Sequence, residues 1–475
     1  MRILFLLCFA PLILSAQTDG YRIETIPNPT EATSFDVTGL DMAKDGRVFC
    51  ATRLGEIWVL EKDQWTRFAE GLHEPCGLLC EADGSVVVSQ KPEVTRLVDS
   101  DKDGVADRII TVADEFEYHD NYHEFNHGLV RDADGWIYGA LNLDHGNPDS
   151  FTMGGLGSPG GLRGTFYRIS PEGDYETYAW GARSPAGLGM SPENELFYTD
   201  NQGNWVPTSF IGHVDQGSFQ AEPTSLRDHP DYGIEKLKTM TPEDFAAIRK
   251  VPAVFLPHQE IANSPGNLVW DETGGKFGPF AGQALVVDLT QSNLCRVILE
   301  KVGGRYQGAV LPFLDGFQSG NIRQVFDEEG ALWIGQTSRG WGARGPEPYG
   351  LQKVVWDGST TPFEVKTISL QSDGFELTFT KPVETESLKK PLLQASSWWY
   401  HYHSTYGSPK VDEKAVTVES VAWNEDKTVA TVRLPLDGER VYHLVLSQGL
   451  KAADGSALGN TDVYYTLVHL RESGS

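Results

Sequence analysis

The chain has 475 residues, of which 66 are acidic and 39 basic, and its formal net charge is −27. This excess of carboxylates disfavours nucleic acid and anionic surfaces as partners. The 50 glycines and 12 tryptophans among short apolar runs favour strands joined by tight turns over a helical bundle, so we expect an all-β protein.

Residues 1–16 predict a signal peptide. Arg2 supplies a positive charge, an apolar run follows, and the small residue Ala16 precedes the polar Gln17. The run is shorter than the roughly 20 residues that a spanning helix needs. We therefore expect a secreted protein, periplasmic or extracellular, without a membrane span. A retained amino-terminal anchor is the alternative.

Four cysteines remain after the predicted peptide: Cys50, Cys76, Cys80 and Cys295. They allow three complete pairings. Cys76 and Cys80 on one extended strand would lie about 13 Å apart, too far to bond to each other. A disulfide from Cys50 to Cys76 or Cys80 is the pairing we expect. The chain has no CxxCH motif, which argues against a covalent c-type haem.

One unit recurs along residues 17–358: a glycine with apolar residues, an acidic-glycine turn, and an alternating apolar strand. The copies begin at Gly39, Gly77, Gly128, Gly187, Gly266 and Gly320. Each predicts a hairpin that cannot bury both of its faces alone. A ring of such hairpins can, and six copies predict a six-bladed β-propeller with its functional groups at the axis. A short helix is expected from Thr241, an N-cap residue followed by acidic residues.

Residues 359–475 show a different pattern of alternating strands, suited to a small β-sandwich. The phrases FTKPVETESL and YHLVLSQGLKAADGSALGN resemble bacterial immunoglobulin-like domains, so an Ig-like domain is expected here. The aromatic stretch Trp398–Gly407 predicts sandwich core that also docks against the propeller. A sugar-stacking platform is the alternative.

An acidic turn, DSDKDGVADR, carries Asp99, Asp101, Asp103 and Asp107. Alternate carboxylates around a glycine place hard oxygen atoms on one side of a loop, which suits Ca²⁺. Ile110 stands where an EF-hand has its bidentate glutamate. We therefore expect a structural Ca²⁺ loop like those of dockerin or thrombospondin repeats, with a solvated acidic turn as the alternative.

Three residues at inner-strand starts are candidates for axial chemistry: His127, Arg183 and Arg323. The strings ARSPAGLGMSPENELFYTDNQG, NHGLVRDADGWIYGAL and GNIRQVFDEEGALWIG resemble, in the same order, blades of the soluble quinoprotein glucose dehydrogenases and the related sorbosone and aldose sugar dehydrogenases. The resemblance covers about residues 35 to 356 and is distant.

The resemblance implies a cofactor, pyrroloquinoline quinone (PQQ), above the propeller axis, with Ca²⁺. It implies that His127 accepts the substrate hydroxyl proton as hydride moves to the quinone, and that arginines bind the cofactor carboxylates. The cofactor-binding positions that it implies are Arg183, Ser184, Arg323 and Asn321, and, for the Ca²⁺, Gln202, Gly203 and Asn204.

The sequence departs from the family pattern at three of these places. Thr290 replaces the cofactor-binding lysine, Asn321 replaces a late arginine, and Pro75 falls where a glutamine is expected. The histidine position is shared between His127 and His123, and His127 is preferred because it abuts the repeated glycine.

The leading hypothesis is therefore a secreted sugar dehydrogenase that oxidises an aldose or sugar alcohol through PQQ and passes electrons to a separate acceptor such as a cytochrome. The alternative is a non-catalytic propeller that has lost the cofactor and binds a glycan or a protein, using Trp205 or Trp341. A third hypothesis is a Ca²⁺-dependent hydrolase or lyase with an axial histidine.

Overall fold

A computed structural model describes residues 18–32, 34–145, 156–340 and 342–471. The predicted signal peptide, Cys8 and Trp341 lie outside the described residues, so export stays a prediction. Within the part of the chain that the structure covers, none of the helices has the length and apolar character to cross a bilayer.

The described residues are mostly β-structure, and the strands are numbered in chain order. The strands up to residue 113 are β1 (Tyr21–Ile26), β2 (Val37–Met42), β3 (Val48–Thr52), β4 (Ile57–Glu61), β5 (Gln64–Ala69), β6 (Gly77–Cys80), β7 (Val86–Gln90), β8 (Glu93–Val98) and β9 (Arg108–Ala113). The next are β10 (Asn126–Arg131), β11 (Ile137–Leu141), β12 (Asp144–His145), β13 (Leu156–Gly157), β14 (Thr165–Ile169), β15 (Tyr175–Trp180), β16 (Gly187–Met190), β17 (Leu196–Asp200), β18 (Ser209–Val214) and β19 (Val254–Leu256).

The strands of the remaining chain are longer on average. They are β20 (Pro265–Trp270), β21 (Ala284–Asp288), β22 (Asn293–Val302), β23 (Arg305–Leu314), β24 (Asn321–Phe326), β25 (Leu332–Thr337), β26 (Tyr349–Trp356), β27 (Val365–Gln371), β28 (Gly374–Phe379), β29 (Leu393–Trp399), β30 (Val411–Val416), β31 (Ser420–Trp423), β32 (Val429–Arg433), β33 (Arg440–Leu446) and β34 (Asp462–Leu467). The helices are α1 (Gly233–Leu237), α2 (Pro242–Ile248) and two 3₁₀ turns, Pro223–Arg227 and Ser387–Lys389.

Apart from the short pair β12-β13, the strands up to β26 form antiparallel four-stranded units, which match a β-propeller fold. The units are β2–β5, β6–β9, β10-β11-β14-β15, β16–β19, β20–β23, and β24–β26 with β1. The innermost strands β2, β6, β10, β16, β20 and β24 lie in turn against one another, and β24 returns to β2. All six hairpins predicted from the repeats are confirmed.

The repeated glycines let the inner strands approach closely at the axis. A Cβ at Gly77 would lie 1.8 Å from the carbonyl oxygen of Gly128, and one at Gly187 would lie 2.0 Å from that of Gly266. Both distances are far inside van der Waals contact, so any side chain would push neighbouring units apart. These positions therefore require glycine because there is no space for a side chain. The inner strands consequently surround a narrow axis.

The last unit is closed by the start of the chain. β1 pairs antiparallel with β26 over its whole length, from Tyr21 opposite Trp356 to Ile26 opposite Leu351. The alternating burial of β1 suits an outermost strand. This strand was not predicted from the sequence.

Strands β27–β34 form two sheets, and one of them continues a propeller unit. β34 pairs with β23, with Gly308 opposite Thr466 and Val310 opposite Tyr464, so that β20–β23 and β34-β33-β29-β30 make one eight-stranded sheet. β22 and β23 are 10 residues long, about twice the length of most inner strands. Their extensions carry Val302 and Leu311 into the carboxy-terminal core. The sheet crosses the predicted boundary at residue 358, and that boundary stays a prediction.

Two local predictions have clear outcomes. The helix after Thr241 is confirmed as α2, with a capping box in which Thr241 and Asp244 bond reciprocally. The expected disulfide is wrong, because Cys50, Cys76, Cys80 and Cys295 are free thiols. Cys50 is buried against the last unit, in a cluster with Trp333, whereas Cys80 packs on the opposite side of the first unit, against Leu78. Cys76 faces the axis.

Candidate functional site

The axis holds a partly open cavity of about 50 Å³ at one end of the ring. Every unit contributes to its wall, and most contributing side chains are polar or aromatic. The lining residues are Thr38, Arg53, Cys76, Tyr122, His123, Phe125, His127, Asn142, Ser184, Ala186, Asn201, Ser264, Leu289, Ile322, Thr337 and Arg339. We call this cavity the axial pocket.

Half of the lining residues occupy two repeated positions. One is the residue directly before the repeated glycine, as in Thr38, Cys76, His127 and Ala186. The other directly follows the second strand of the hairpin, as in Arg53, Asn142, Asn201 and Leu289. Both positions lie where strands enter or leave the same end of the ring. A repeat can therefore place two side chains in one pocket.

Arg323 lies below the axial pocket and ties the ring together. Its Nη2 donates to the carbonyl of Cys76 at 2.6 Å, and its Nη1 donates to the carbonyls of Ala186 at 2.7 Å and Ile322 at 2.9 Å. Nη2 also lies 3.0 Å from Nδ1 of His127. Burial lowers the pKa of this guanidinium to about 10, so it is still a cation at neutral pH. Its hydrogen bonds therefore connect the inner strands of several units.

His127 lines the axial pocket, and its tautomer follows from this contact. A guanidinium only donates hydrogen bonds, so Nδ1 of His127 is the acceptor and Nε2 carries the hydrogen. Burial, and then the charge of Arg323, hold the pKa of His127 well below its usual range, so the ring is neutral. A neutral ring with hydrogen on Nε2 is a donor at that atom, whereas a general base needs a lone pair there.

His123 differs from His127 in the role of Nδ1. Its Nδ1 lies 2.9 Å from the carbonyl oxygen of Leu143, and a carbonyl only accepts, so Nδ1 of His123 is a donor. The two candidate histidines therefore use the same ring atom in opposite roles.

Three buried polar atoms of lining residues make no hydrogen bond to any part of the chain that the structure describes: Arg53 Nε, Asn142 Oδ1 and Asn201 Oδ1. Arg53 Nε lies 3.5 Å from Glu74 Oε1, too long for a hydrogen bond of normal strength. The amide nitrogens of Asn142 and Asn201 both donate to Ser184 Oγ at 3.3 Å. A buried polar atom without a partner is costly, and one donor with two acceptors in one pocket suits a hydroxylated ligand.

Arg183 is directed away from the axial pocket, toward Gly203 and Tyr406. Its guanidinium carbon lies 5.3 Å from the centre of the Tyr406 ring, and a Cβ at Gly203 would lie 1.9 Å from it. Its pKa is lowered by burial, with Asp200 and Glu222 acting against the shift. The Asp200 carboxylate accepts hydrogen bonds from the backbone N–H groups of Arg183 and Ser184, both at 2.8 Å. These bonds fix the part of the pocket wall that contains Ser184.

Gln202, Gly203 and Asn204 lie under a segment of the carboxy-terminal region. The Gly203 carbonyl accepts from the backbone of Gly407, and Asn204 donates to the carbonyl of Ser404. Trp205 is buried and packs against Phe245 and Tyr402. These residues join two parts of the fold, and Trp205 is not available as a sugar-binding surface. Trp398 is likewise buried, as expected for core.

Asn321 and Thr290 lie near the pocket but outside its lining. Asn321 donates to the carbonyl of Asn293 and accepts from Gln336. Thr290 contacts Ser264 through its hydroxyl at 3.3 Å. Both side chains therefore bond within the wall.

A prediction concerns Glu222, whose pKa burial raises to about 8. A carboxyl group that binds its proton more tightly when folded stabilises the fold below about pH 4.3, the usual pKa of an unfolded glutamate, and that contribution is lost as pH rises through 8. Glu222→Gln removes this loss, so the variant should exceed the wild type in unfolding free energy by about 2–4 kcal/mol at about pH 9 and match it at about pH 5. Urea unfolding at both pH values measures the difference. Exposed Glu61→Gln is the control, and a constant difference between the two pH values would contradict the prediction.

The acidic turn lies between β8 and β9, at the outer edge of its unit. Ligand atoms of Asp99, Asp101 and Asp103 lie within 4.8 Å of one another. Asp107 is not one of them, because its carboxylate accepts from the backbone and hydroxyl of Ser100. Structural Ca²⁺ at this turn stays a prediction. It concerns a place remote from the axis.

A second group of titratable side chains was missed in the sequence. His119, Glu124 and Asp144 bring ligand atoms within 4.8 Å of one another, beside the axial pocket. Glu124 is fully buried and accepts the backbone N–H groups of His119 and Asn121, while Arg163 lies 3.9 Å away. Glu124 therefore shapes the loop that carries His123.

The sequence also missed Arg53, Tyr122 and Arg339 in the pocket wall. Arg53 and Asn142 carried a usable signal, since each directly follows the second strand of a repeat. Tyr122 and Arg339 lie in loops of irregular length, where repeat spacing gives no position.

The quinone that the family resemblance implies does not fit the residues as they stand. A cavity for a ligand of that size is usually 300 Å³ or larger, by rough rule, against about 50 Å³ here. The donors of Arg323 are bonded to carbonyls, Arg183 points elsewhere, and Thr290 replaces the lysine. No step is therefore derived through this group.

The fold is similar to that of solved structures described as glucose dehydrogenases, in agreement with the resemblance in the sequence. An oxidoreductase from Thermus thermophilus, described as a glucose dehydrogenase, is 21% identical over 71% of this chain and 100% of its own, with a TM-score of 0.52. The calcium structure of a Trichoderma reesei carbohydrate-active enzyme of family AA12 is 12% identical over 71% and 96%, with a TM-score of 0.51. The holo PQQ domain of a Coprinopsis cinerea pyranose dehydrogenase is 10% identical over 71% and 96%, with a TM-score of 0.50.

In sequence, residues 61–284 match the model of a domain of unknown function, DUF7133. No curated protein matches the chain.

Proposed function

We propose that this chain is an exported, six-bladed propeller with an Ig-like domain that binds a carbohydrate in its axial pocket without using PQQ. One observation carries the proposal: three buried polar atoms of the wall, Arg53 Nε, Asn142 Oδ1 and Asn201 Oδ1, have no hydrogen-bond partner among the described residues. A sugar hydroxyl both donates and accepts, so a sugar that places a hydroxyl in the pocket can bond to either kind of atom. The small cavity and the committed donors of Arg323 support binding without the quinone.

The experiment is calorimetric titration of the full chain with neutral and acidic monosaccharides. Wild-type protein should bind at least one sugar in a one-to-one complex. Asn142→Leu keeps side-chain volume but removes the Oδ1 acceptor, so affinity should fall about tenfold or more, since one lost hydrogen bond in a buried site costs about 1–3 kcal/mol. Gln64→Ala on the exposed face of β5 is the control. Absence of binding by every sugar would overturn the proposal.

The second candidate is oxidation of an aldose or sugar alcohol through PQQ and Ca²⁺, with electrons passed to a separate acceptor such as a cytochrome. The likeness to a holo PQQ domain of another protein favours it. It requires the pocket to widen and Arg323 to release the carbonyls of Cys76 and Ala186. Protein mixed with PQQ and Ca²⁺ would then show bound-cofactor absorbance and reduce a dye with a sugar. We expect neither signal, and either one would favour this candidate over the first.

A further inference from the structure

We propose that the sugar taken by the axial pocket is a sugar acid, held through its carboxylate by Arg339 and Arg53. This inference rests on the proposed carbohydrate binding and names its ligand class. It follows from the charge of the pocket, the position of its arginines and its small volume.

The lining of the axial pocket, among the described residues, is free of acidic side chains, in contrast to the chain as a whole. Acidic residues outnumber basic ones 66 to 39 in the sequence, yet the charged side chains of the lining are both arginines, Arg53 and Arg339. Of the two lining histidines, His127 adds an N–H donor at Nε2, whereas the Nδ1–H of His123 is bonded to the carbonyl of Leu143. A pocket of this composition in an acidic protein favours an anionic group over a neutral one.

Charged residues near the pocket do not cancel the positive charge of its lining. Below the pocket lies the Arg323 guanidinium, and Lys91 Nζ lies 5.1 Å from the ring centre of Phe125 in the wall. Glu74 contacts both Lys91, at 2.7 Å, and Arg53, at 3.5 Å. Asp36 lies 3.8 Å from Arg339. Glu124 and Asp144 also lie beside the pocket, with Arg163 3.9 Å from Glu124. With these included, the cations around the pocket barely outnumber the carboxylates, so the two lining arginines set the local positive charge.

Arg339 can exchange its ion-pair partner, Asp36, for a ligand. Its side chain is 46% exposed, whereas Asp36 is buried and already accepts a hydrogen bond from Thr337. The 3.8 Å separation makes this ion pair weak, so exchanging it costs little. A planar guanidinium can hold a carboxylate through two parallel hydrogen bonds. Arg53 adds its Nε on the buried side of the pocket, where it makes no hydrogen bond to the described residues and lies 3.5 Å from Glu74.

The cavity volume indicates which part of the ligand enters. About 50 Å³ accommodates a carboxylate together with the hydroxyl next to it, but a whole sugar ring needs more room. The ring would therefore lie at the mouth, where Tyr122 is 50% exposed and stacks on the Arg53 guanidinium at 5.7 Å. An aromatic face beside the anion site suits the apolar face of a pyranose.

The test compares glucuronate, glucose and glucose 6-sulfate by calorimetry at low and at physiological ionic strength. Glucuronate should bind the wild type about tenfold tighter than glucose, and salt should reduce that advantage. In Arg339→Gln the advantage should fall below about threefold, because one cation is lost while the hydroxyl contacts remain. Arg22→Gln, on the exposed strand β1, is the matched control and should behave as the wild type. Circular dichroism checks that both variants are folded.

The outcomes separate this inference from the proposed function. Equal affinity for glucose and glucuronate in the wild type would overturn the sugar-acid inference and leave carbohydrate binding intact. Preference for glucose 6-sulfate over glucuronate would overturn the carboxylate assignment. Retention of the full glucuronate advantage in Arg339→Gln would overturn the role of Arg339. No binding by any of the three sugars would instead count against the proposed function itself.

Discussion

Replacing Arg323 with methionine is expected to lower the free energy of unfolding by about 3–5 kcal/mol. Arg323 donates to the carbonyls of Cys76, Ala186 and Ile322 and to His127. Methionine has a similar length but no donor, so these buried acceptors lose their partner at the narrowest part of the ring. Urea unfolding followed by tryptophan fluorescence measures the change, and Arg22→Met on exposed β1 controls for loss of charge.

The same variant has a second, independent readout at His127. Removal of the Arg323 charge should raise the pKa of His127, and nuclear magnetic resonance of the imidazole protons can follow that titration. An unfolding free energy within about 0.5 kcal/mol of wild type, or an unchanged His127 titration, would show that Arg323 does not hold the axis.

Ending the chain at Gly358 is expected to make the propeller insoluble or to remove about 5 kcal/mol or more of stability. The truncation removes β34, the hydrogen-bonding partner of β23, and uncovers Val302, Leu311 and Val310, each 7% exposed or less in the full chain. Burying one such aliphatic side chain contributes about 1.5–3 kcal/mol. A bare apolar edge strand also favours aggregation. Soluble yield and urea unfolding of the truncated chain measure both effects.

A nicked chain provides the matched control. Residues 357–360 form an exposed connection. A protease cleavage site introduced there should allow the chain to be cut without separating its two parts. The two pieces should stay together in size-exclusion chromatography, because the shared sheet and core hold them. A truncated chain that is soluble, with the unfolding midpoint of the full protein, would contradict the expected dependence.

The repeats made the hairpins predictable, because turn and strand preferences act over a few residues. Gly39, Gly77 and Gly128 mark inner strands that the structure confirms, and Thr241 marks the helix α2. His127, placed directly before a repeated glycine, does line the axial pocket. Local pattern was thus enough to place a side chain at the axis.

Long-range pairings were not predictable from these patterns. The pairing of β34 with β23 and that of β1 with β26 join segments far apart in sequence, and alternation of side chains does not specify a partner. The hydrogen bonds of Arg323 were also not predicted from the sequence. Sequence shows that an arginine lies near the axis, but only the approach of Cys76 and Ala186 from other units shows what its donors contact.

The closure of the last sheet by β1 has a consequence for folding. Tyr21 is among the first described residues to be synthesised, and its partner Trp356 follows more than 300 residues later. The ring therefore stays open until most of the chain exists, and β26 is then an edge that must find one distant strand. Because closing so long a loop costs entropy before any pairing repays it, ring closure should be a late and slow event. In the interval, both edges of the unfinished ring are sites where a second copy of the chain could pair.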